Sequence, residues 1–157
     1  MCLFVPKIRP FEPSVEYLSW VSHQNSLWDI QKFMLEWEWV SDKDLFGRWE
    51  YWDTPTECFI NKKSDCDAIH WLLADATWRR LGHTTYVLTA WNFAVKFPFV
   101  EGHAMMIDVD TAGNIKLVNY WDMIPMTKLF DLEAVKLAGY SHIGAIYSIP
   151  DGKKIRR

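Results

Sequence analysis

Two side chains in this sequence could carry nucleophilic chemistry if the fold brought them together, Cys66 and His103. Cys66 stands in the stretch Ser64-Asp65-Cys66-Asp67-Ala68-Ile69-His70-Trp71-Leu72-Leu73. Ser64 or Asp65 can cap a helix here. Ile69, Leu72, Leu73 and Ala76 recur at the spacing of an amphipathic helix, and Gly82 stops it. Cys66 then falls in the first turn, where unpaired amides and the positive end of the helix dipole favour thiolate over thiol. Asp65 and Asp67 oppose this, because neighbouring negative charge raises a thiol pKa.

His103 falls on a predicted hairpin. Asp110-Thr111-Ala112-Gly113 reads as a turn between two alternating stretches, 103–109 and 115–120. Pairing Val109 with Asn114 puts His103 opposite Tyr120 or, after a one-residue shift, Asn119. If His103 shares a face with Met105 and Ile107, and Asn119 with Ile115 and Leu117, the two are cross-strand neighbours. An amide beside an imidazole fixes its tautomer, and a cysteine at the other ring nitrogen would complete nucleophile, base and orienter. Asp122 is the reserve orienter.

Other candidates carry less. Cys66 and His70 share a helix face at i and i+4 and could hold a metal, but no second pair has matching spacing, so no metal ligand set is expected. Asp108 to Gly113 begins like a calcium loop, yet Ala112 and Asn119 stand where oxygen ligands are needed. Cys2 and Cys58 read as spectators, and His23, His83 and His142 have no evident partners.

The elements that must position these residues follow from pattern. Residues 1–13, with Pro6, Pro10 and Pro13, read as an extended arm that wraps the domain or reaches a partner. Helices are expected over 14–22 and 26–40, broken by Ser41-Asp42-Lys43-Asp44. Residues 45–60 read as an aromatic loop, since Pro55 bars a regular element. After the cysteine helix come a strand over 84–91, a loop over 92–102 and the hairpin. A helix over 127–138 and a strand over 142–149 follow. Residues 14–150 thus form one domain, and 151–157 a solvated basic tail. The expected class is α+β, a helix packed on an antiparallel sheet.

Composition narrows the function. The chain has 157 residues, half of them apolar, ten tryptophans and a formal net charge of −3. That suits a single globular domain and argues against general nucleic-acid binding. No stretch reaches the length of a membrane span, and no secretory leader is visible, since Met1-Cys2-Leu3-Phe4-Val5 runs straight into Pro6 and Lys7. Three widely spaced cysteines make no disulfide framework, which points to a cytoplasm or to a particle assembled inside a cell.

Several pieces in order resemble the bacterial transglutaminase-like cysteine proteinases: Glu50-Tyr51-Trp52-Asp53-Thr54-Pro55-Thr56-Glu57, then Ser64-Asp65-Cys66-Asp67, Leu81-Gly82 and Gly102-His103-Ala104. The match covers residues 50–122, about half the chain. The resemblance implies a papain-like fold, Cys66 as nucleophile, His103 as general base and Asn119 as the matching third residue of the triad. It implies a hydrolase of peptide or amide bonds, or an acyl transferase, acting on a protein or peptide substrate without a required cofactor. It also admits a calcium ion at Asp65 and Asp67. Departures are Ser64 for the usual Gly and Ala68-Ile69-His70 for the Asp-Tyr-Ala continuation. Short relatives of this kind occur in phage genomes. In this reading the Cys66 amide and an upstream tryptophan indole form the oxyanion hole, and the loop around Trp49 and Trp52 lines the substrate groove.

A second reading comes from a different class. A retired fold of this type could serve as a structural or binding component, for example of a phage particle. The Pro-rich arm and the tryptophans would then bind a protein partner.

Overall fold

The computed structural model describes residues 8–47, 51–93 and 100–155. Four short helices come first: α1 (Val15–Ser22), α2 (Leu27–Gln31), α3 (Asp42–Phe46) and α4 (Pro55–Asn61). Each is opened by a hydroxyl, of Ser14, Ser26, Ser41 or Thr54, that accepts from an otherwise unpaired amide of the first turn. Helices this short need such caps.

Three expectations for this half change. The aromatic loop over 45–60 contains α4, because Pro55 sits at the first helical position, where its missing N–H costs nothing. Thr54 and Glu57 close a capping box around it. The break at 41–44 is itself the start of α3. The helix expected over 26–40 ends at Gln31 and passes into a 3-10 turn, Lys32–Leu35. Glu38–Trp39 is then a strand, β1, pairing in parallel with β2 (Lys63–Ser64). Aromatic and β-branched residues there, Trp37, Trp39 and Val40, suit an extended backbone. The amides of Glu38 and Val40 are satisfied by the carbonyls of Lys62 and Ser64, both at 2.9 Å.

The central element is α5 (Cys66–Leu81), capped by Asp65 and ended by Gly82 in the left-handed region at φ 68°. It is not amphipathic in place. Every residue from Asp67 to Thr77 is buried, as expected of a helix enclosed on all sides. It packs against α1, α2 and α4 on one side and the main sheet on the other.

That sheet has six antiparallel strands, β3 (Thr84–Phe93), β4 (Val100–Val109), β5 (Ile115–Asn119), β6 (Asp122–Met126), β7 (His142–Ser148) and β8 (Lys154–Ile155). Their spatial order is β6-β5-β4-β3-β7-β8. The final helix, α6 (Leu132–Leu137), covers the second face. Two apolar cores result. Val87, Ala104, Met106 and Val118 face α5, whereas Leu88, Met105, Ile107 and Leu117 face Ala134 and Val135 of α6. The fold is α+β, a helix on an antiparallel sheet.

The sheet exceeds the expected one. Strands β3 and β4 extend into the loop expected over 92–102. Strand β6 was hidden by Pro125, which an edge strand tolerates. Helix α6 is shorter than 127–138 because Asp131 caps it late, and part of the basic tail forms β8 against β7. In the described part of the N-terminal arm, Ile8 and Phe11 pack on the core and Arg9 donates to the Trp52 carbonyl at 3.0 Å. Residues 8–13 therefore wrap the domain. No helix among the described residues is long and apolar enough to cross a membrane.

Leu72 of α5 is fully buried, whereas Leu137 of α6 is 78% exposed. Leu72→Ala should destabilise the protein by about 2–5 kcal/mol, and Leu137→Ala by less than about 0.5 kcal/mol, in urea unfolding.

Candidate functional site

The nucleophile candidate takes its place from β2 and α5. Ser64, buried at the end of β2, accepts from the Trp37 indole N–H at 2.9 Å and lies 3.3 Å from Cys58 Sγ. One hydroxyl thus ties β1, α4 and the start of α5 together, which a glycine there could not do. Cys66 follows as the first helical residue and is half-buried. Its sulfur meets the backbone amides of Ala104 and of Cys66 itself, both of which lower the thiol pKa. Burial and the charges of Asp65 and Asp67 outweigh them and push that pKa up.

His103 and Asn119 meet. His103 Nε2 lies 2.8 Å from Asn119 Oδ1. A carboxamide oxygen only accepts, so Nε2 carries the proton and Nδ1 is left as the basic nitrogen. The imidazole stacks on Tyr140, with ring centres 5.0 Å apart and planes 13° apart.

The register that achieves this differs from the predicted one. Val109 pairs with Ile115, not Asn114, because the connection runs through Asn114. The β4–β5 ladder ends at Met106 and Val118, so His103 and Asn119 lie beyond it. They meet at the rim of the sheet, not as direct cross-strand neighbours. Asp122, the reserve orienter, is exposed and sits opposite Asn119 across the two-residue turn of Tyr120 and Trp121.

His70 is the residue whose role the sequence concealed. It is fully buried, and both ring nitrogens are engaged. Nδ1 lies 2.7 Å from the Cys66 carbonyl, and Nε2 accepts from the Tyr120 amide at 3.0 Å. The i, i+4 pair of Cys66 and His70 is therefore no metal site. Burial and the adjacent His103 push the His70 pKa down to about 3, so the ring stays neutral. Only the helical spacing to Cys66 hinted at this contact.

Acidic groups gather beside Cys66 in the fold. Carboxylate oxygens of Asp42, Asp65 and Asp67 lie within 4.8 Å of one another. Asp67 Oδ1 and both oxygens of Asp53 are buried without a hydrogen-bond partner among the described residues. Such a donor set suits a hard divalent cation. Asp42 joined it unforeseen, because the sequence places it 23 residues before Asp65. Burial and the charges of Glu57, Asp42 and Asp65 raise the Asp53 pKa to about 7.

One aromatic assignment changes. Trp52 is buried in the core and lines no groove, while Trp49, Glu50 and Cys2 lie outside the described residues. The Trp37 indole N–H is engaged by Ser64, so it is not a spare oxyanion donor. The exposed tryptophans near these elements are Trp39, paired with Ser64, and Trp121 in the β5–β6 turn, whose ring lies 5.4 Å from exposed Trp28. Cys58 is buried, and burial drives its thiol pKa up as it does for Cys66. His83, expected to be without a partner, lies 2.6 Å from buried Asp108. We find no family model and no curated protein that matches the chain.

The raised Asp53 pKa has a measurable consequence. The folded state keeps the Asp53 proton up to about pH 7, whereas the unfolded chain loses it near its ordinary carboxylate value. Stability from this group must therefore fall as pH rises through that window. In metal-free buffer, Asp53→Asn should match wild type at about pH 4 and exceed it at about pH 8, read as the urea midpoint.

Proposed function

We propose that this chain is a transglutaminase-like cysteine hydrolase of papain-like arrangement, acting on a peptide or amide bond. The observation that carries the reading is the His103–Asn119 hydrogen bond, with Cys66 at the start of α5 against the Ala104 amide. Asn119 would hold the proton on His103 Nε2, leaving Nδ1 to take the thiol proton. Cys66 Sγ would attack the substrate carbonyl, and the Cys66 amide would donate to the developing oxyanion. His103 would return the proton to the leaving amine. Water would then hydrolyse the thioester, releasing acid and restoring the thiol, or a second amine would take the acyl group. Exposed Trp39 and Trp121 would flank a protein or peptide substrate.

The two aspartates beside Cys66 need an answer in this mechanism. Asp42, Asp65 and Asp67 would hold a calcium ion, which would supply positive charge beside the helix start and offset the groups that keep the thiol protonated. The two oxygens of Asp53, buried without a partner among the described residues, support a site for positive charge nearby.

The upward push on the Cys66 pKa also favours a second reading. In it the site is retired, and the domain is a binding or structural component, for example of a phage particle, using its exposed tryptophans for contact.

A peptidyl acyloxymethyl ketone separates the readings. The hydrolase reading predicts one adduct by intact mass, on Cys66 and not Cys58. It should form faster with calcium, lose that response in Asp42→Asn and disappear in His103→Ala. A folded protein that takes no adduct with or without calcium would contradict the hydrolase.

A further inference from the structure

We infer that His70 is a positioning residue, whose ring ties the backbone of Cys66 to the backbone of Tyr120 and so fixes where Asn119 meets His103. The inference rests on reading Cys66, His103 and Asn119 as a working site, but its structural content can be tested separately.

The argument begins with which atoms can donate. The Cys66 carbonyl only accepts, so His70 Nδ1 must carry the proton of that 2.7 Å contact. The Tyr120 amide only donates, so His70 Nε2 must be bare to receive it at 3.0 Å. One neutral tautomer satisfies both. A second proton, on Nε2, would break the Tyr120 bond and bury a positive charge beside His103, with ring centres 5.6 Å apart.

Tyr120 is a place where such a tie is needed. It is a non-glycine residue at φ 54°, in the tight turn directly after Asn119. That conformation is disfavoured for a residue with a side chain and persists only where surroundings enforce it. Here both backbone polar groups of Tyr120 are held by fully buried side chains. His70 accepts from its N–H, and Gln31 donates to its carbonyl at 2.7 Å. The two holders come from different helices, α5 and α2. The turn is thereby registered against the same helix that carries Cys66. Without His70, the Tyr120 amide would lose the partner that ties the turn to α5, and the Asn119 side chain would lose its fixed origin.

The position also departs from the family that the sequence resembles, where an alanine stands. The device therefore belongs to this chain's own residues and not to the general plan of the site.

Nitrogen-15 NMR on the full chain tests the inference. In wild type, a scalar coupling should cross from the Tyr120 amide nitrogen to His70 Nε2, and His103 should show a slowly exchanging Nε2–H. Two variants divide the ties. His70→Gln can place an acceptor near the Nε2 position and should keep the His103 resonance. His70→Asn can replace only the Nδ1 donor and should lose it. Absence of the wild-type coupling would overturn the inference, even if a variant fails to fold. So would folded variants that both keep, or both lose, the His103 resonance. A clear coupling and the expected variant pattern beside an unreactive Cys66 would defeat the hydrolase reading alone.

Discussion

Enclosure of α5 is the constraint on which the rest of the structure depends. A helix buried on every side has little solvent to satisfy its polar side chains, and several of them bond to particular neighbouring elements. Asp75 accepts from Tyr17 Oη of α1 at 2.8 Å and from Arg79 Nε at 2.6 Å. The Ala74 carbonyl accepts from Thr85 Oγ1 of β3 at 2.8 Å. His70 reaches the β5–β6 turn. These ties fix the helix against both its helical and its sheet neighbours, and Cys66 inherits that precision as the first residue of the same rod. Apolar burial alone would permit small slides that directional bonds resist.

The same burial sets up the electrostatic conflict at the helix start. Two amides draw toward the Cys66 sulfur, yet Asp65 caps the helix and Asp67 is buried beside it. A carboxylate at the N-cap is good for the helix and bad for a thiolate. With Asp42 brought in from α3, three carboxyl groups lie within 4.8 Å of one another. Burial and the neighbouring carboxylates push the Asp53 and Asp67 pKa values up, a strain that a bound proton or a bound cation relieves.

Much of this was legible in the chain itself. The cysteine helix announced itself through Asp65, its apolar spacing and Gly82, and the hairpin through strict alternation around Asp110 to Gly113. The hairpin left His103 opposite Tyr120 or, after a one-residue shift, Asn119, and the structure pairs it with Asn119. The loop is longer by Asn114, and contact is made past the end of the ladder. What stayed hidden depended on tertiary context. Pro55 reads as a breaker until Thr54 and Glu57 are seen to cap it, and Pro125 conceals an edge strand. The enclosure of α5 was invisible because a polar residue such as Asp75 reads as a solvent face until Tyr17 and Arg79 are seen to pair with it. Asp42 meets Asp65, and His70 meets Tyr120, across distances in sequence that no spacing rule connects.

The central claim is that Cys66 and His103 function as one thiol–imidazole unit. Its most direct test is the pH dependence of Cys66 alkylation by iodoacetamide, with Cys2 and Cys58 replaced by Ser, in calcium-containing buffer, for the parent and for His103→Ala. The account predicts rapid labelling well below the ordinary thiol pKa of about 8.5, lost in His103→Ala. Slow labelling that tracks an ordinary or raised thiol pKa identically in both proteins would contradict it.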